Sequence, residues 1–344
     1  MKSLVIWAHS ECRSNAALYG EVKRLAEARG VGVTMCLWDE KPMDEVRKIH
    51  RFEYIKVGDN LQKGRDVLTA HGGDGTTHVF CVYQNSAVWR QLIVEAKESG
   101  ARVIVSAEAP CEMCVGLKAL AKRAFYRFVL PWKVRQVVKA ADVFLNASGN
   151  SGLGRLRRIG WAREKIVPFG YASDVSGEFR VKSLELGVGD RELRVLHTGV
   201  EIPYRGVETL LDAERILKRH GVSLNVVRTH GTLPCGEMER LYKWADVFVG
   251  CGLCEPWGMR VNDAIHAGLP IVVSSRMGSK WLVEQFGCGA VFKRGDAKEL
   301  ADILERLAKD IDYRKRLMSG AVAAHEAWTP AARAKVWLNE VLSA

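Results

Sequence analysis

Short apolar, β-branched runs alternate with longer amphipathic stretches along nearly the whole chain, and this rhythm restricts the available folds more than any other feature. Ser3–Ala8, residues 31–37, 65–70 and 101–107, Val143–Asn146 and residues 165–168 read as strands. In the second half the strand-like runs are residues 194–198, 223–228, 247–251 and 270–274 and Gly289–Phe292. Between them lie helical periods, including residues 15–29, Val207–Arg219 and residues 236–244. Strands alternating with helices of 10–15 residues make βαβ units, hence parallel sheets covered by helices on both faces. A length of 344 residues favours two such domains. The best boundary is residues 173–190, which have no sustained period and carry Gly177, Gly187 and Gly189 among mixed charges. The expected division is a first domain over 1–178, a second over 179–325, and a C-terminal helical segment over 326–344.

No apolar run approaches the roughly 18–20 residues of a membrane span. The apolar start ends at His9, Ser10, Glu11 and Cys12, which suits a first strand rather than a signal peptide. A cytoplasmic location and nine reduced cysteines are therefore expected. The net charge of +11 is uneven: residues 1–180 hold 28 Lys/Arg against 19 Asp/Glu, while residues 181–344 hold 23 against 21. One half is thus suited to an anionic partner and the other to a small ligand. Residues 117–141 carry Lys118, Lys122, Arg123, Arg127, Lys133, Arg135 and Lys139 without one acidic residue, interleaved with Leu120, Phe125, Phe128 and Trp132. Two readings stand: a peripheral contact with an anionic membrane surface, or a solvated helix packed on the sheet by its apolar side. No nucleic-acid-binding motif accompanies the charge.

Residues 241–278 hold the densest constellation. A buried strand at 247–251 leads into a loop with Glu255, and a new helix begins near Gly258. A helix start after a strand presents unpaired N–H groups and the positive end of the dipole, which suits a phosphate. Gly258 permits close approach to the backbone, and Asp263 follows on the helix. These residues resemble the donor-binding signature of glycosyltransferase family 4: Glu255-Pro256-Trp257-Gly258, a second carboxylate at Asp263, then Ala264, Gly268 and Pro270. Upstream, Leu241–Tyr242 with Ala245–Asp246 fits the same pattern. The resemblance is strong over residues 194–320 and diffuse over 1–140.

The resemblance implies a GT-B fold, two Rossmann-like doubly wound domains facing across a cleft, with the acceptor bound by the domain over 1–178, the donor by that over 179–325, and the helix over 326–344 crossing back to the first. It also implies a retaining glycosyltransferase that moves a sugar from a nucleotide-diphosphate sugar to a hydroxyl of a glycan or lipid-linked acceptor. Cell-envelope polysaccharide or lipopolysaccharide synthesis, on the inner face of the plasma membrane, is the expected setting. Neither metal nor other cofactor is expected. By position, Glu255 would contact the donor sugar, the backbone of Gly258 and Met259 the β-phosphate, and Asp263 the ribose. Trp257 and Gly199 would complete the donor site. Arg205 stands at the place of the family's diphosphate-binding lysine and keeps its charge with a bidentate fork. Two departures stand out: Asp263 replaces the usual Glu, and Val200 replaces the Arg that normally follows Gly199. Arg228 and Arg276 are candidate substitutes.

In the first half, His71 at the end of the run 65–70 resembles a histidine near the family's reaction centre, and a packing histidine reads equally well. Glu108, after the strand at 101–107, is a candidate for the acceptor. The turn GGDGT at 72–76 resembles the phosphate cradle of NAD and lipid kinases, but no partner motif follows it. A non-catalytic nucleotide- or glycan-binding protein, suggested by Val200, is the other alternative. Cys111-x-x-Cys114 and Cys251-x-x-Cys254 have zinc-like internal spacing but 136 residues intervene between Cys114 and Cys251, and all four are read as free thiols.

Overall fold

The computed structural model describes residues 3–9, 13–38, 53–173, 192–229 and 233–343. Most of the expected boundary at 173–190 therefore lies outside the described residues. The chain forms two compact units: Met1–Pro110 with Leu120–Asp174 and Pro330–Ala344, and Cys111–Ala119 with Val175–Thr329.

The first unit contains a seven-stranded sheet among the described residues. Its strands are β1 (Ser3–Ala8), β2 (Gly32–Leu37), β3 (Tyr54–Lys56), β4 (Thr76–Phe80), β5 (Arg102–Ala107), β6 (Val143–Asn146) and β7 (Ile166–Pro168). All pair parallel, in the order β3-β2-β1-β4-β5-β6-β7. The connecting helices are α1 (Arg13–Glu27), α2 (Leu61–Ala70), α3 (Ala87–Glu98), α4 (Gly116–Ala124), α5 (Leu130–Ala140) and α6 (Leu153–Ile159). A single π-helical turn, Phe125–Val129, joins α4 to α5.

The central strand β1 shows why its sequence is apolar without alternation. Val5 and Trp7 pack into one core with Phe80, Trp89 and Leu92, while Leu4 and Ile6 face a second core on the other side. Both faces of a parallel sheet are dry, so every side chain from Leu4 to Ala8 is apolar.

One strand expectation is overturned. Residues 65–70 lie in helix α2, where the Asn60 side chain accepts from the Lys63 N–H at 3.0 Å as a cap and Gly64, Val67 and Leu68 face inward. A Cβ on Gly64 would lie 2.3 Å from Leu92, so the glycine lets α2 and α3 pack closely. The run Asp66–Ala70 is short enough to satisfy either period. Here the cap and the apolar residues at 61, 64, 67 and 68 select the helix. The strand that fills this place in the sheet is β4, which begins only at Thr76.

The second unit is a five-stranded parallel sheet in the order β12-β11-β10-β8-β9. Its elements are β8 (Leu193–His197), α7 (Val207–Arg219), β9 (Leu224–Arg228), α8 (Cys235–Trp244), β10 (Val247–Gly250), α9 (Arg260–His266), β11 (Ile271–Ser274), α10 (Lys280–Phe286), β12 (Gly289–Phe292), α11 (Ala297–Lys309) and α12 (Ile311–Ala327). Leu210, Ala213 and Leu217 of α7 and Leu300, Leu304 and Leu307 of α11 cover one face. The last helix, α13 (Pro330–Leu342), belongs to the first unit. Its Ala334, Trp337, Leu338 and Val341 complete the core under Leu4 and Ile6, and Arg333 donates to the Phe169 carbonyl at 2.7 Å.

Candidate functional site

In the second unit the strand order reverses between β8 and β10. In open α/β sheets, ligands bind outside the carboxyl ends of the strands at such a switch point. The loops that leave β8, β10 and β11 converge there. After β8, the tight turn Pro203–Arg205 ends on Gly206 in the left-handed region (φ 69°), where a Cβ would stand 2.3 Å from the Cys251 carbonyl. The Leu253 N–H donates to the Tyr204 carbonyl at 2.7 Å, which ties the β8 loop to the β10 loop. The Glu255 N–H donates to the Arg276 carbonyl (3.1 Å), and the Gly278 N–H donates back to the Glu255 carbonyl (3.2 Å). Glu255 thus forms a single parallel bridge with Met277.

This stitching presents the Glu255 carboxylate to the Arg205 guanidinium, and the two form a direct ion pair. Glu255 is buried, whereas the Arg205 side chain is 27% exposed. Burial holds the Glu255 carboxyl above its ordinary range, while Arg205, and more weakly Arg260, pull it down. Two nearby donors have no protein partner among the described residues: Arg205 Nε and the fully buried Ser279 hydroxyl. Ser279 Oγ would be 3.2 Å from a Cβ built on Gly258. Gly258 itself is at φ 100°, and a Cβ there would meet Met277 Cε at 2.6 Å, so only glycine makes this turn without strain. Met259 caps α9, and Asp263 follows within its first turn; burial chiefly, and the Asp263 charge in addition, raise the pKa of the Tyr242 hydroxyl.

At the end of β8, the Gly199 N–H donates to the Thr229 hydroxyl at 3.2 Å, and a side chain in its place would enter open space. Val200 beside it is half exposed. Arg228, at the end of β9, pairs with Glu201 at 3.1 Å. The buried His197 ring donates from Nδ1 to the Val249 carbonyl at 2.8 Å. Burial is the main cause of its lowered pKa, and Arg205 and Arg228 lower it further. Two guanidiniums therefore flank the carboxyl end of β8, although Val200 brings none. Arg276 is exposed on the β11 turn.

Three sequence expectations need correction or refinement. Trp257 is buried at 1% exposure, donates from Nε1 to Asn262 Oδ1 at 2.8 Å, and stacks on Trp328 (6.4 Å, 16°). Its indole is thus engaged by Asn262 and Trp328 within the second unit. His71 caps the C-terminus of α2, before β4, with Nδ1 3.5 Å from Ser3 Oγ and its carbonyl 3.0 Å from His78 Nε2. Ser3 opens β1, so His71 lies at the amino edge of the sheet, opposite the ligand-binding edge. The GGDGT turn lies at that same edge, ahead of β4 rather than after a strand. Glu108, by contrast, directly follows β5 at the carboxyl edge and is half-buried.

Ser279 and Arg260 were not legible as site residues. Ser279 belongs to no motif and reaches Gly258 only through the β11 loop. Arg260 has a weak signal, since it opens the helix that follows Glu255.

Residues 213–322 match the family described as glycosyl transferases group 1. The uncharacterized glycosyltransferase MJ1607 of Methanocaldococcus jannaschii is 26% identical over 180 residues, 45% of this chain and 46% of that protein. The match thus spans under half the length of that curated relative. Among solved structures, Anabaena Alr3699/HepE in complex with UDP and glucose aligns over 100% of both chains at TM-score 0.69 and 14% identity. The lipopolysaccharide outer core galactosyltransferase WaaB in its apo form aligns over 100% and 99% at 0.70 and 12%. Sucrose-phosphate synthase from Thermosynechococcus elongatus aligns over 98% and 97% at 0.64 and 15%.

The fold is therefore GT-B, with two Rossmann-like α/β domains. Within that class, the segment that carries Glu255, Gly258 and Asp263 is of the group 1 glycosyltransferase family.

Proposed function

We propose that the protein is a retaining glycosyltransferase that takes its sugar from a nucleoside-diphosphate donor bound at the carboxyl edge of the second unit. The Arg205–Glu255 ion pair beside the Gly258 turn carries this reading. Arg205 keeps an unpaired Nε for a diphosphate oxygen, and the Gly258–Met259 backbone approaches the β-phosphate. Glu255 orients the donor sugar, and Asp263 holds the ribose. Arg228, in register with His197 at the end of β8 and paired with Glu201, supplies the second cation in place of Val200. Preorganised donors of this kind stabilise the charge that develops as the glycosidic bond breaks. The leaving diphosphate accepts the proton of the acceptor hydroxyl, so neither a metal nor an enzymic nucleophile is required. The HepE structures with UDP support a uridine or related donor.

Glu108 is the acceptor-side candidate, and His71 has no part in the site. A glycan or lipid-linked acceptor fits the basic stretch. Leu117, Leu120, Phe128 and Trp132 are 84%, 57%, 70% and 69% exposed, while Leu130, Val134 and Val137 turn inward. Exposed apolar side chains among seven cations suit peripheral contact with an anionic membrane surface, where each cation contributes about 1 kcal/mol. A role in envelope polysaccharide synthesis at the inner face follows.

The test is a thermal-shift panel of UDP, GDP, ADP, CMP and ATP, each with and without magnesium. Metal-independent stabilisation by one nucleoside diphosphate is expected, followed by hydrolysis or transfer of its sugar conjugates. Stabilisation by Mg-ATP alone would instead support the kinase reading of the GGDGT turn. Binding without turnover of any sugar conjugate would make the protein a non-catalytic binder.

A further inference from the structure

The two Cys-x-x-Cys pairs do not come together as pairs. Cys251 turns into the core beside Val249 and Leu210, and burial pushes its thiol up to about 12. Cys114 is only half-buried. Instead the second unit brings Cys111 and Glu112, from the irregular segment before α4, against Cys254 on the β10 loop. All three are buried, at 8%, 5% and 5% exposure. The Cys254 thiol donates to Glu112 Oε2 at 3.0 Å. One ligand atom from each residue lies within 4.8 Å of the other two.

We propose that Cys111, Glu112 and Cys254 form a binding site for a zinc-class divalent cation. The dimensions fit. Zinc holds thiolate sulfur at about 2.3 Å and carboxylate oxygen at about 2.0–2.2 Å, so two sulfurs on a tetrahedral ion stand about 3.8 Å apart. Atoms already within 4.8 Å of one another need to close by no more than about 1 Å to reach that spacing. The ligand types fit as well, since thiolates select zinc over the hard cations magnesium and calcium, which prefer oxygen. Binding displaces the proton that Cys254 shares with Glu112 and that of Cys111, and both leave to solvent. Three protein ligands leave the fourth position of a tetrahedral ion to a water molecule. Cys254 immediately precedes Glu255, so occupancy fixes the same loop that forms the ion pair with Arg205. The site requires nothing of the transferase reading and stands or falls separately from it.

The test uses the full-length protein, reduced and stripped with a chelator, then titrated with Co²⁺ and afterwards with Zn²⁺. One equivalent of Co²⁺ is expected to produce a near-ultraviolet thiolate-to-cobalt charge-transfer band that Zn²⁺ bleaches. C111S and C254S should each weaken the band and the binding. E112Q should weaken zinc binding by at least the roughly 10–100-fold that loss of an outer partner costs, and C114S should leave it unchanged. Far-ultraviolet circular dichroism checks that each variant folds. If the serine variants do not fold, the wild-type titration and E112Q carry the test. Absence of the band in the wild type overturns the proposal. So does its survival in the C111S/C254S double variant, or an equal loss in C114S.

Discussion

Substituting Gly278 with alanine tests how the loop that carries Glu255 is held. Gly278 does not have a positive φ, so alanine incurs no backbone penalty and the effect is purely steric. A Cβ there would lie 1.8 Å from the Pro256 carbonyl oxygen, 2.8 Å from the Pro256 carbonyl carbon and 3.1 Å from Trp257 Cα, all backbone atoms. Real Cβ contacts essentially never fall under 3.0 Å, so the 255–257 strand of the loop must retreat by about 1.2 Å, the difference between 3.0 and 1.8 Å. That shift breaks the two hydrogen bonds of the Glu255–Met277 bridge. They contribute about 1 kcal/mol each, and overpacking adds about 1–3 kcal/mol. The expected loss is about 3–5 kcal/mol, or about 6–20 °C in the Tm of a unit this size. A displacement of about 1 Å at a reacting centre costs on the order of 100-fold in rate, so sugar transfer or hydrolysis should fall by a similar factor. The assay pairs thermal denaturation with nucleotide binding and turnover. Gly236→Ala is the control: it lies in helix α8 with open space around its Cβ and should change stability by no more than about 1 kcal/mol, in the stabilising direction. If G278A melts within a degree or two of the wild type and binds nucleotide equally well, the loop is not held as described.

Removing Arg205 leaves Glu255 buried without its cation, so R205A should destabilise by about 2–3 kcal/mol, below the roughly 3–5 of a fully buried pair because Arg205 is partly exposed. E255Q should unfold near the wild-type midpoint yet lose transfer, and the opposite pattern in chemical denaturation and turnover would remove Glu255 from the site. The buried His78 accepts from Trp7 Nε1 at Nδ1 (3.0 Å) and donates from Nε2 to the His71 carbonyl, so it is held neutral, and burial pushes its pKa down to about 4. The unfolded chain takes up that proton first, so the stability from His78 is present above the ordinary value of 6.5 and lost as pH falls toward 4. This amounts to on the order of 3 kcal/mol, and urea denaturation at pH 7 and pH 4 should show a correspondingly smaller drop for H78Q. W132A with F128A should lower binding to anionic lipid vesicles without changing Tm, and unchanged vesicle binding would leave the exposed face without that role.

Local pattern was enough to determine much of this protein. Strand runs such as Val143–Asn146 and Gly289–Phe292 and the helix Val207–Arg219 are legible because burial on two sheet faces demands unbroken apolar runs and a single buried helix stripe demands a 3.6-residue period. Glu255, Gly258 and Asp263 are legible because a loop between a strand and a helix keeps its chemistry within nine consecutive residues.

What the tertiary structure alone decided is everything that depends on direction and distance between segments. Residues 65–70 satisfy either period, and only the Asn60 cap and the packing of Gly64 on Leu92 make them helical. That choice reverses the sheet edge on which His71 lies. Trp257 has the composition of a ligand contact, but its ring is taken up by Trp328 and Asn262, seventy-one and five residues away. Cys111 and Cys254 share no local pattern across 143 residues, because the closeness of two thiols follows from the path of the chain and not from the spacing of either motif.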